Sequence, residues 1–335
     1  MREISRILFI RTDRIGDVLM NLPAIRLLRQ TFPKAWITLL LDKSVADLLK
    51  NHPDLDEVLE VDAAGLKKDW KARRQLTGKV KHARFDLAVV SNPDKFLHSL
   101  TFFARIPRRI GYDRKWGFFL NKKMADCKDN AARHEIDLNL ELVSLASDKA
   151  WDGELRLPID EKAAGRMKDL LERNWPKDAE IIAIHPGTSN PQKRWPMERF
   201  VELGKMIVGA YCIAVIGGEE EKGLGEYLAK EIGGVDFTGQ LSLKELTALL
   251  GRCQALVSSD SGPVHVAWMS GTPVVALYAK NVPGSNPARW GPRDGKSEVI
   301  YKPLSEIRTE EVYGALKKIL DRKARARVAL RRENS

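Results

Sequence analysis

The sequence predicts an α/β protein built from two doubly wound parallel sheets, and three observations lead there. Short, wholly apolar runs recur along the chain, the pattern of strands buried on both faces. Longer stretches with apolar residues at helical spacing lie between them, so strand and helix alternate. The chain has 335 residues, more than one hydrophobic core usually serves.

The first apolar run, 7–10, stands between Arg6 and Arg11 and reads as the opening strand. It is too short, and too charged just after it, for a secretory signal. A helix is expected over 18–30, strands at 36–41 and 87–90, and a helix over 131–145. The stretch 147–158, SDKAWDGELRLP, is polar, holds Gly and Pro, and lacks periodicity, so the break between domains belongs there. A helix over 161–172 leads into a second set of strands at 181–184, 213–216, 255–257 and 274–277. Helices are expected between and around these at 197–208, 220–231, 243–250 and 264–269. The last helix runs from 310 to about 330, with Val312, Leu316, Ile319 and Leu320 on its apolar face, and then turns basic. The expected division is 1–155, 156–309, and a terminal helix and tail at 310–335 that packs back toward the first domain.

Hydrophobic residues make up 44% and charged residues 30%, an ordinary globular composition that excludes a disordered chain. No apolar run reaches the roughly 18 to 20 residues of a bilayer span. Cys127, Cys212 and Cys253 are far apart and form no CxxC pair, so neither a disulfide framework nor a zinc site is expected, and a reducing cytoplasm is. The net charge of +11 is uneven. Residues 1–150 carry 28 basic and 20 acidic residues, 151–316 carry 20 and 23, and the last 19 carry eight and two. A basic first half and tail suit an anionic partner, or serve solubility alone.

Four segments after strands carry candidate chemistry. In the first, RTDRIGDVLMNLP from Arg11, Gly16 lets the backbone approach closely, and Asp17 falls at a helix start, where its charge is favoured. Asp17 as a routine helix cap is equally open at this point. The segment is neither GxGxxG nor GxxxxGK[ST]. In the second, HPGTSNPQKRWP from His185, Gly187, Thr188, Lys193 and Arg194 bring N–H, hydroxyl and cationic groups suited to a phosphate or diphosphate, with Trp195 and Pro196 starting a helix. In the third, Gly217 and Gly218 precede Glu219, Glu220 and Glu221; a carboxylate at such a strand end accepts from ribose hydroxyls, or serves a helix dipole. The fourth, SSDSGPVH over 258–265, puts the N–H groups of Ser261 and Gly262 at a helix start with His265 one turn on, an anion site. No cluster has metal-ligand spacing, and neither HExxH nor DxD is present.

Taken together, these segments resemble the ADP-heptose:lipopolysaccharide heptosyltransferases, glycosyltransferase family 9. The similarity spans nearly the whole chain: RTDRIGDVLMNLPAIRLLRQTFP, ARIPRRIGYDRKWGFFLNKK with RHEIDLNLELV, HPGTSNPQKRWPMERFVEL, GGEEEK, FTGQLSLKELTALLGRCQALVSSDSGPVHVAWMSGTPVVALY and RWGP, in that order. The resemblance implies the GT-B class, two Rossmann-like doubly wound domains facing a central cleft. It implies inverting transfer of heptose from ADP-L-glycero-D-manno-heptose to a lipid-linked anionic oligosaccharide, Kdo-lipid A or a heptosylated core, without cofactor or metal. Asp17 matches the acidic position read as general base. Thr188 and Lys193 match residues at the donor's diphosphate and sugar, with Lys193 helping ADP depart. Glu221 matches the ribose glutamate and Leu241 the adenine-packing position. Asp260, Ser261, Gly262 and His265 match the DSGPxH loop at the diphosphate.

Two departures stand out. Glu219 replaces the proline usual after the double glycine, which leaves Glu220 and Glu221 both open as the ribose carboxylate. The stretch after Leu277, YAKNVPGSNPARWGP, is longer than the common form. On the acceptor side, Arg14, Arg109, Arg114 and Lys115 are candidates for binding an anionic acceptor. Residues 105–123 hold seven basic residues and one acidic one, with Tyr112, Trp116, Phe118 and Phe119 among them. That mixture suits a membrane interface or a negatively charged glycolipid, which the resemblance puts at the anionic inner face of the inner membrane, or else a core of aromatics under a solvated charged face. Rival readings are a related transferase with another donor, a nucleotide-sugar 2-epimerase on the same architecture, a nucleic-acid-binding protein, and a nicotinamide oxidoreductase. The nucleic-acid reading lacks a helix-turn-helix, RRM or zinc signature. The oxidoreductase reading lacks GxGxxG.

Overall fold

Twelve strands form in chain order: β1 (Arg6–Ile10), β2 (Trp36–Asp42), β3 (Glu57–Val61), β4 (Leu87–Val90), β5 (Arg108–Tyr112), β6 (Lys122–Met124), β7 (Ile181–His185), β8 (Cys212–Val215), β9 (Val235–Asp236), β10 (Cys253–Ser259), β11 (Val274–Ala279) and β12 (Glu298–Lys302). The structure is a computed structural model that describes residues 3–126, 133–155 and 157–333. Cys127 and the first two residues of the helix expected over 131–145 lie outside the described residues. The chain divides into two compact units, Met1–Arg156 and Leu157–Ser335.

Each unit holds one six-stranded sheet, β3-β2-β1-β4-β5-β6 in the first and β12-β11-β10-β7-β8-β9 in the second. All the strand pairs are parallel. The α/β class with two doubly wound, Rossmann-like units is therefore as the sequence predicts. The central strands are largely apolar because helices cover both faces; β4, β7, β10 and β11 are buried at every position, and the polar residues of β7 and β10 include those at their carboxyl ends, His185, Ser258 and Ser259. In the first unit the chain winds outward from β1 to β3, then returns to place β4 on the other side of β1. In the second it winds from β7 to β9 and returns to place β10 beside β7. A doubly wound sheet opens a crevice at the carboxyl ends of the two strands flanking such a reversal. Those strand pairs are β1/β4 and β7/β10.

The helices begin where short polar side chains take up free N–H groups. Asp42, Asp69, Asp94 and Asp160 each cap a helix, and Ser242 and Glu245 form a capping box. The single helix expected over 18–30 is two: Ile15–Leu19 and Leu22–Thr31. Pro23 has no N–H to continue a helix and sits in the first turn of the second instead. The helix expected over 220–231 begins as a 3-10 turn, Glu219–Glu221, before Lys222–Ile232. Edge strands β3, β6, β9 and β12, and β5, escaped the sequence pattern because polar residues interrupt their apolar ones. The last helix, Thr309–Glu333, packs Val312, Leu316 and Ile319 into the core of the second unit with Ile300 and Phe200. Its basic residues reach the amino-terminal edge of the same sheet: Arg327 pairs with Glu180, and Lys323 donates to the Gln254 carbonyl.

Candidate functional sites

At the β1/β4 reversal the chain leaves β1 into Arg11, whose side chain turns inward and is 3% exposed. Its guanidinium donates from Nη2 to Asp17 Oδ1 at 2.5 Å and from Nη1 to the Ser91 carbonyl and hydroxyl, each at 3.1 Å. It also lies 3.1 Å from Asp13 Oδ2 and 3.5 Å from Glu135 Oε1. Burial disfavours the cation, but Asp17, Asp13 and Glu135 outweigh it and raise the pKa above the ordinary arginine value. Behind this pair, Ser91 donates to Asn21 Oδ1 at 2.6 Å, and Asn139 donates to the Met20 carbonyl at 3.1 Å. Strand ends and three helices are thereby joined in one buried polar network. Asn21, Glu135 and Asn139 lie in segments the sequence singled out but were not themselves candidates, and Ser91 lies in none; their convergence marks them.

Asp17 is not the helix cap that its position suggested. Arg14 occupies the cap position of the Ile15–Leu19 helix, with extended backbone and no side-chain cap bond, and Asp17 lies in the first turn. There it faces Arg11, and about a quarter of its side chain is open to solvent. The Arg11 pairing engages the Oδ1 oxygen.

The remaining acceptor candidates separate. Arg14 is exposed beside Asp17 in sequence. Arg109 donates to the Phe119 and Ile106 carbonyls at 2.7 and 2.6 Å, so it braces the loop before β6, and burial lowers its pKa. Arg114 pairs with Asp126 at 3.0 Å. Lys115 is exposed, and its carbonyl meets His98 Nδ1 at 3.1 Å. Of the aromatics in this stretch, Tyr112 is core, whereas Trp116 and Phe118 are 46% and 69% exposed. A uniform aromatic core is thus excluded.

At the β7/β10 reversal, β7 ends in His185, which is 2% exposed. Its Nε2 lies 3.0 Å from Glu221 Oε2, and its Nδ1 lies 3.0 Å from Ser258 Oγ and 3.1 Å from Ser261 Oγ. Glu221 also accepts from the Gly218 N–H at 2.8 Å. Burial would raise its pKa, but the bond to His185, that N–H and the charge of Arg194 hold it below the usual carboxylate range. A Cβ at Gly187 would overlap the Glu221 carboxylate and push that side chain aside, so glycine lets it lie where it does. Glu220 points to solvent, and Glu219 pairs with Lys222. Of the two glutamates left open by the sequence, Glu221 is the one at the strand ends.

Lys193 reaches across from its 3-10 turn, Pro191–Lys193, to donate to Asp260 Oδ2 at 2.7 Å. Thr188 is buried at the end of β7, and Trp195, fully buried, ties this loop to β10 by donating its backbone N–H to Ser259 Oγ at 3.1 Å. Ser261 is the cap position of the Gly262–Met269 helix, yet its hydroxyl makes no cap bond and faces His185 and Ser258 instead. His265, buried in the first turns, accepts a long bond from Trp268 Nε1 at 3.5 Å. Leu241 is half-buried just before the capping box at Ser242. Thus Thr188, Lys193, Glu221, Asp260, Ser261 and Gly262 gather at one set of strand ends, and His185 and Ser258 join them. His185 was legible only as the residue before Pro-Gly, which marks a strand end and no more. Among the described residues no three His, Cys, Asp or Glu side chains are grouped to hold a metal, and no helix is long and apolar enough to cross a membrane.

Comparison with known proteins points the same way. Lipopolysaccharide heptosyltransferase 2 of Salmonella typhimurium is 26% identical over 311 residues, covering 88% of this chain and 87% of its own. The solved structure of a family 9 glycosyl transferase from Veillonella parvula superposes with a TM-score of 0.83 at 24% identity, over 94% of this chain and 97% of that one. The E. coli ADP-heptose lps heptosyltransferase II structure gives 0.81 at 23% identity, over 95% and 99%. The sequence model described as glycosyltransferase family 9 (heptosyltransferase) matches residues 73–317. That span takes in β5, β7, the Glu221 loop and the Asp260–His265 loop, and with it the chain belongs to glycosyltransferase family 9, the heptosyltransferases.

Proposed function

We propose that this glycosyltransferase moves a heptose from ADP-L-glycero-D-manno-heptose to the inner core of lipopolysaccharide, with inversion at the anomeric carbon. The observation that carries the reading is the β7/β10 crevice, where one cationic side chain, a helix start and a depressed carboxylate are assembled. A cation and helix N–H groups suit a diphosphate, and a carboxylate suits ribose hydroxyls. Two of the relatives named above are called heptosyltransferases, and the name of one of them includes ADP-heptose.

Thr188, Ser261 and Gly262 would hold the diphosphate, Glu221 the ribose, and Leu241 the adenine. Asp17, the general base, would take the proton of the acceptor hydroxyl as its oxygen bonds to the anomeric carbon. The bond from that carbon to the phosphate oxygen breaks, and ADP departs with the electron pair. Lys193 and the Gly262–Met269 helix start would offset the charge that develops on ADP, with His265 near by, in place of a metal ion. The acceptor would be a lipid-linked anionic oligosaccharide, either Kdo-lipid A or an already heptosylated core. The first unit would meet it at the inner face of the inner membrane, from the cytoplasm. Supporting that last point, Phe102, Phe103, Trp116 and Phe118 are exposed together among Lys95, Arg105 and Lys115.

The test is calorimetric titration of the whole chain with ADP-heptose and with UDP-, GDP- and CMP-sugars. Binding of ADP-heptose at least ten-fold tighter than the others is the expected result. Preference for another nucleotide would overturn the donor assignment, and product analysis for retained configuration would overturn the single displacement.

A further inference from the structure

We infer that His185 is a positioning residue that sets both halves of the nucleotide site at once, orienting Glu221 for the ribose through Nε2 and Ser261 for the diphosphate through Nδ1. This rests on the proposed nucleotide site. His185 lies beneath the loops, 2% exposed, so it does not itself meet a ligand. It touches both the Glu221 loop and the start of the Gly262–Met269 helix at hydrogen-bond distance.

Proton accounting settles the roles on each side. A carboxylate held in its ionised form only accepts, so the proton between His185 and Glu221 sits on Nε2, and Nε2 donates across 3.0 Å. In the neutral ring Nδ1 is then an acceptor. Two hydroxyls face it. Ser258 Oγ donates to the Ser259 carbonyl at 2.8 Å, so its one proton is used. Ser261 Oγ lies 3.1 Å from Nδ1 and 2.9 Å from Ser258 Oγ, and its proton is the one left to supply the bond to the ring. Its own helix offers it little to cap: Pro263 has no N–H, and the Val264 N–H donates to the Ser261 carbonyl at 3.2 Å, so this cap-position serine makes no cap bond. The hydroxyl is thereby held beside the Gly262 N–H at the helix start, where a diphosphate would bind. On the other side, Nε2 and the Gly218 N–H both reach Oε2 of Glu221. The same oxygen is held twice, so the carboxylate plane is fixed. Oε1 lies over Gly187, where the missing Cβ makes room.

The two ends of the ring can be separated by substitution. The asparagine amide reaches about as far as Nδ1 and the glutamine amide about as far as Nε2. His185→Asn therefore keeps a partner for Ser261 and drops Glu221, and His185→Gln does the reverse. The experiment measures the affinities of ADP, 2′-deoxy-ADP and AMP for the wild-type chain and both variants, with Tm for each. In His185→Asn the preference for ADP over 2′-deoxy-ADP should fall about ten-fold, the worth of one hydrogen bond to a charged group, while the preference for ADP over AMP holds. In His185→Gln the preference for ADP over AMP should fall by a similar factor while the ribose preference holds. Ser261→Ala, which leaves the histidine in place, should reproduce the glutamine pattern; failure to do so overturns the assignment. Equal weakening toward all three nucleotides with a lowered Tm means a packing role only, and overturns it too. A wild-type chain that binds ADP, with both ratios unchanged in both variants, overturns the positioning role alone. A wild-type chain that binds no adenine nucleotide overturns the nucleotide site and this inference together.

Discussion

Arg11 donates to Asp17 at 2.5 Å from a position that solvent barely reaches, while the aspartate itself stands a quarter open. A buried cation thus aims a carboxylate that remains accessible. Asp17→Asn keeps the shape of this arrangement and removes the proton acceptor. It should lower the rate of transfer by about 10² to 10⁴ and change ADP-heptose affinity no more than a few-fold. Normal turnover by the variant in a single-turnover assay would remove Asp17 as the base.

Arg11 also holds Glu135, which is fully buried. Arg11→Met strips one cationic partner from a buried carboxylate and from Asp17 together. Breaking a buried pair this way costs roughly 3 to 5 kcal/mol, so denaturant unfolding should show a midpoint far below wild type. A midpoint near wild type would show that Glu135 is satisfied without it.

The Glu221 carboxyl lies below the usual carboxylate range in the folded chain. Its contribution to stability is therefore complete above the unfolded value of about 4.3 and is lost as pH falls through the lower folded value. Glu221→Gln should remove that portion of the acid-side decline. Unfolding curves between pH 3 and 6, an interval of about one to two units either side of the unfolded value, would show the two proteins converging at the acid end. Parallel curves would contradict the pairing with His185.

Gly187 and Gly165 make a matched pair of tests. A Cβ at Gly187 overlaps the Glu221 carboxylate, whereas Gly165, inside the helix Glu161–Asn174, faces open space. Gly187→Ala should displace Glu221 and weaken ADP binding at least ten-fold. Gly165→Ala should raise stability by about 0.5 to 1 kcal/mol, the helix-propensity difference, with no change in ADP binding. Equal nucleotide affinity in both variants would refute the close approach at Gly187.

The exposed aromatics offer a test of the membrane reading. Phe118 and Phe119 have ring centroids 4.5 Å apart, and Phe102 joins them at 5.0 Å. A double substitution, Trp116→Ser with Phe118→Ser, should cut binding to anionic phosphatidylglycerol vesicles about ten-fold or more. Wild-type binding should weaken as salt rises. Vesicle binding that is absent or insensitive to salt in the wild type would discard the surface.

The sequence by itself determined the class of fold and the location of the strand ends. Buried parallel strands such as β1, β7 and β10 carry apolar runs through their middles, and the loops after them hold Gly, Asp and Ser that no core would keep. Those are local properties, and they showed Asp17, Thr188, Lys193, Glu221 and Asp260–His265 as candidates. The break at Pro23 and the interrupted edge strands also have local causes, a missing N–H and polar residues, which a reading by apolar runs passes over. Local properties did not reveal that Glu221 and not Glu220 stands at the strand ends, or that Asp17 answers to Arg11 and not to its own helix. The networks around them turn on partners far apart in the chain: Arg11 with Glu135, and His185 with Glu221 and Ser261. The strand-order reversals bring them together, and only the assembled sheets decide which side chains meet there.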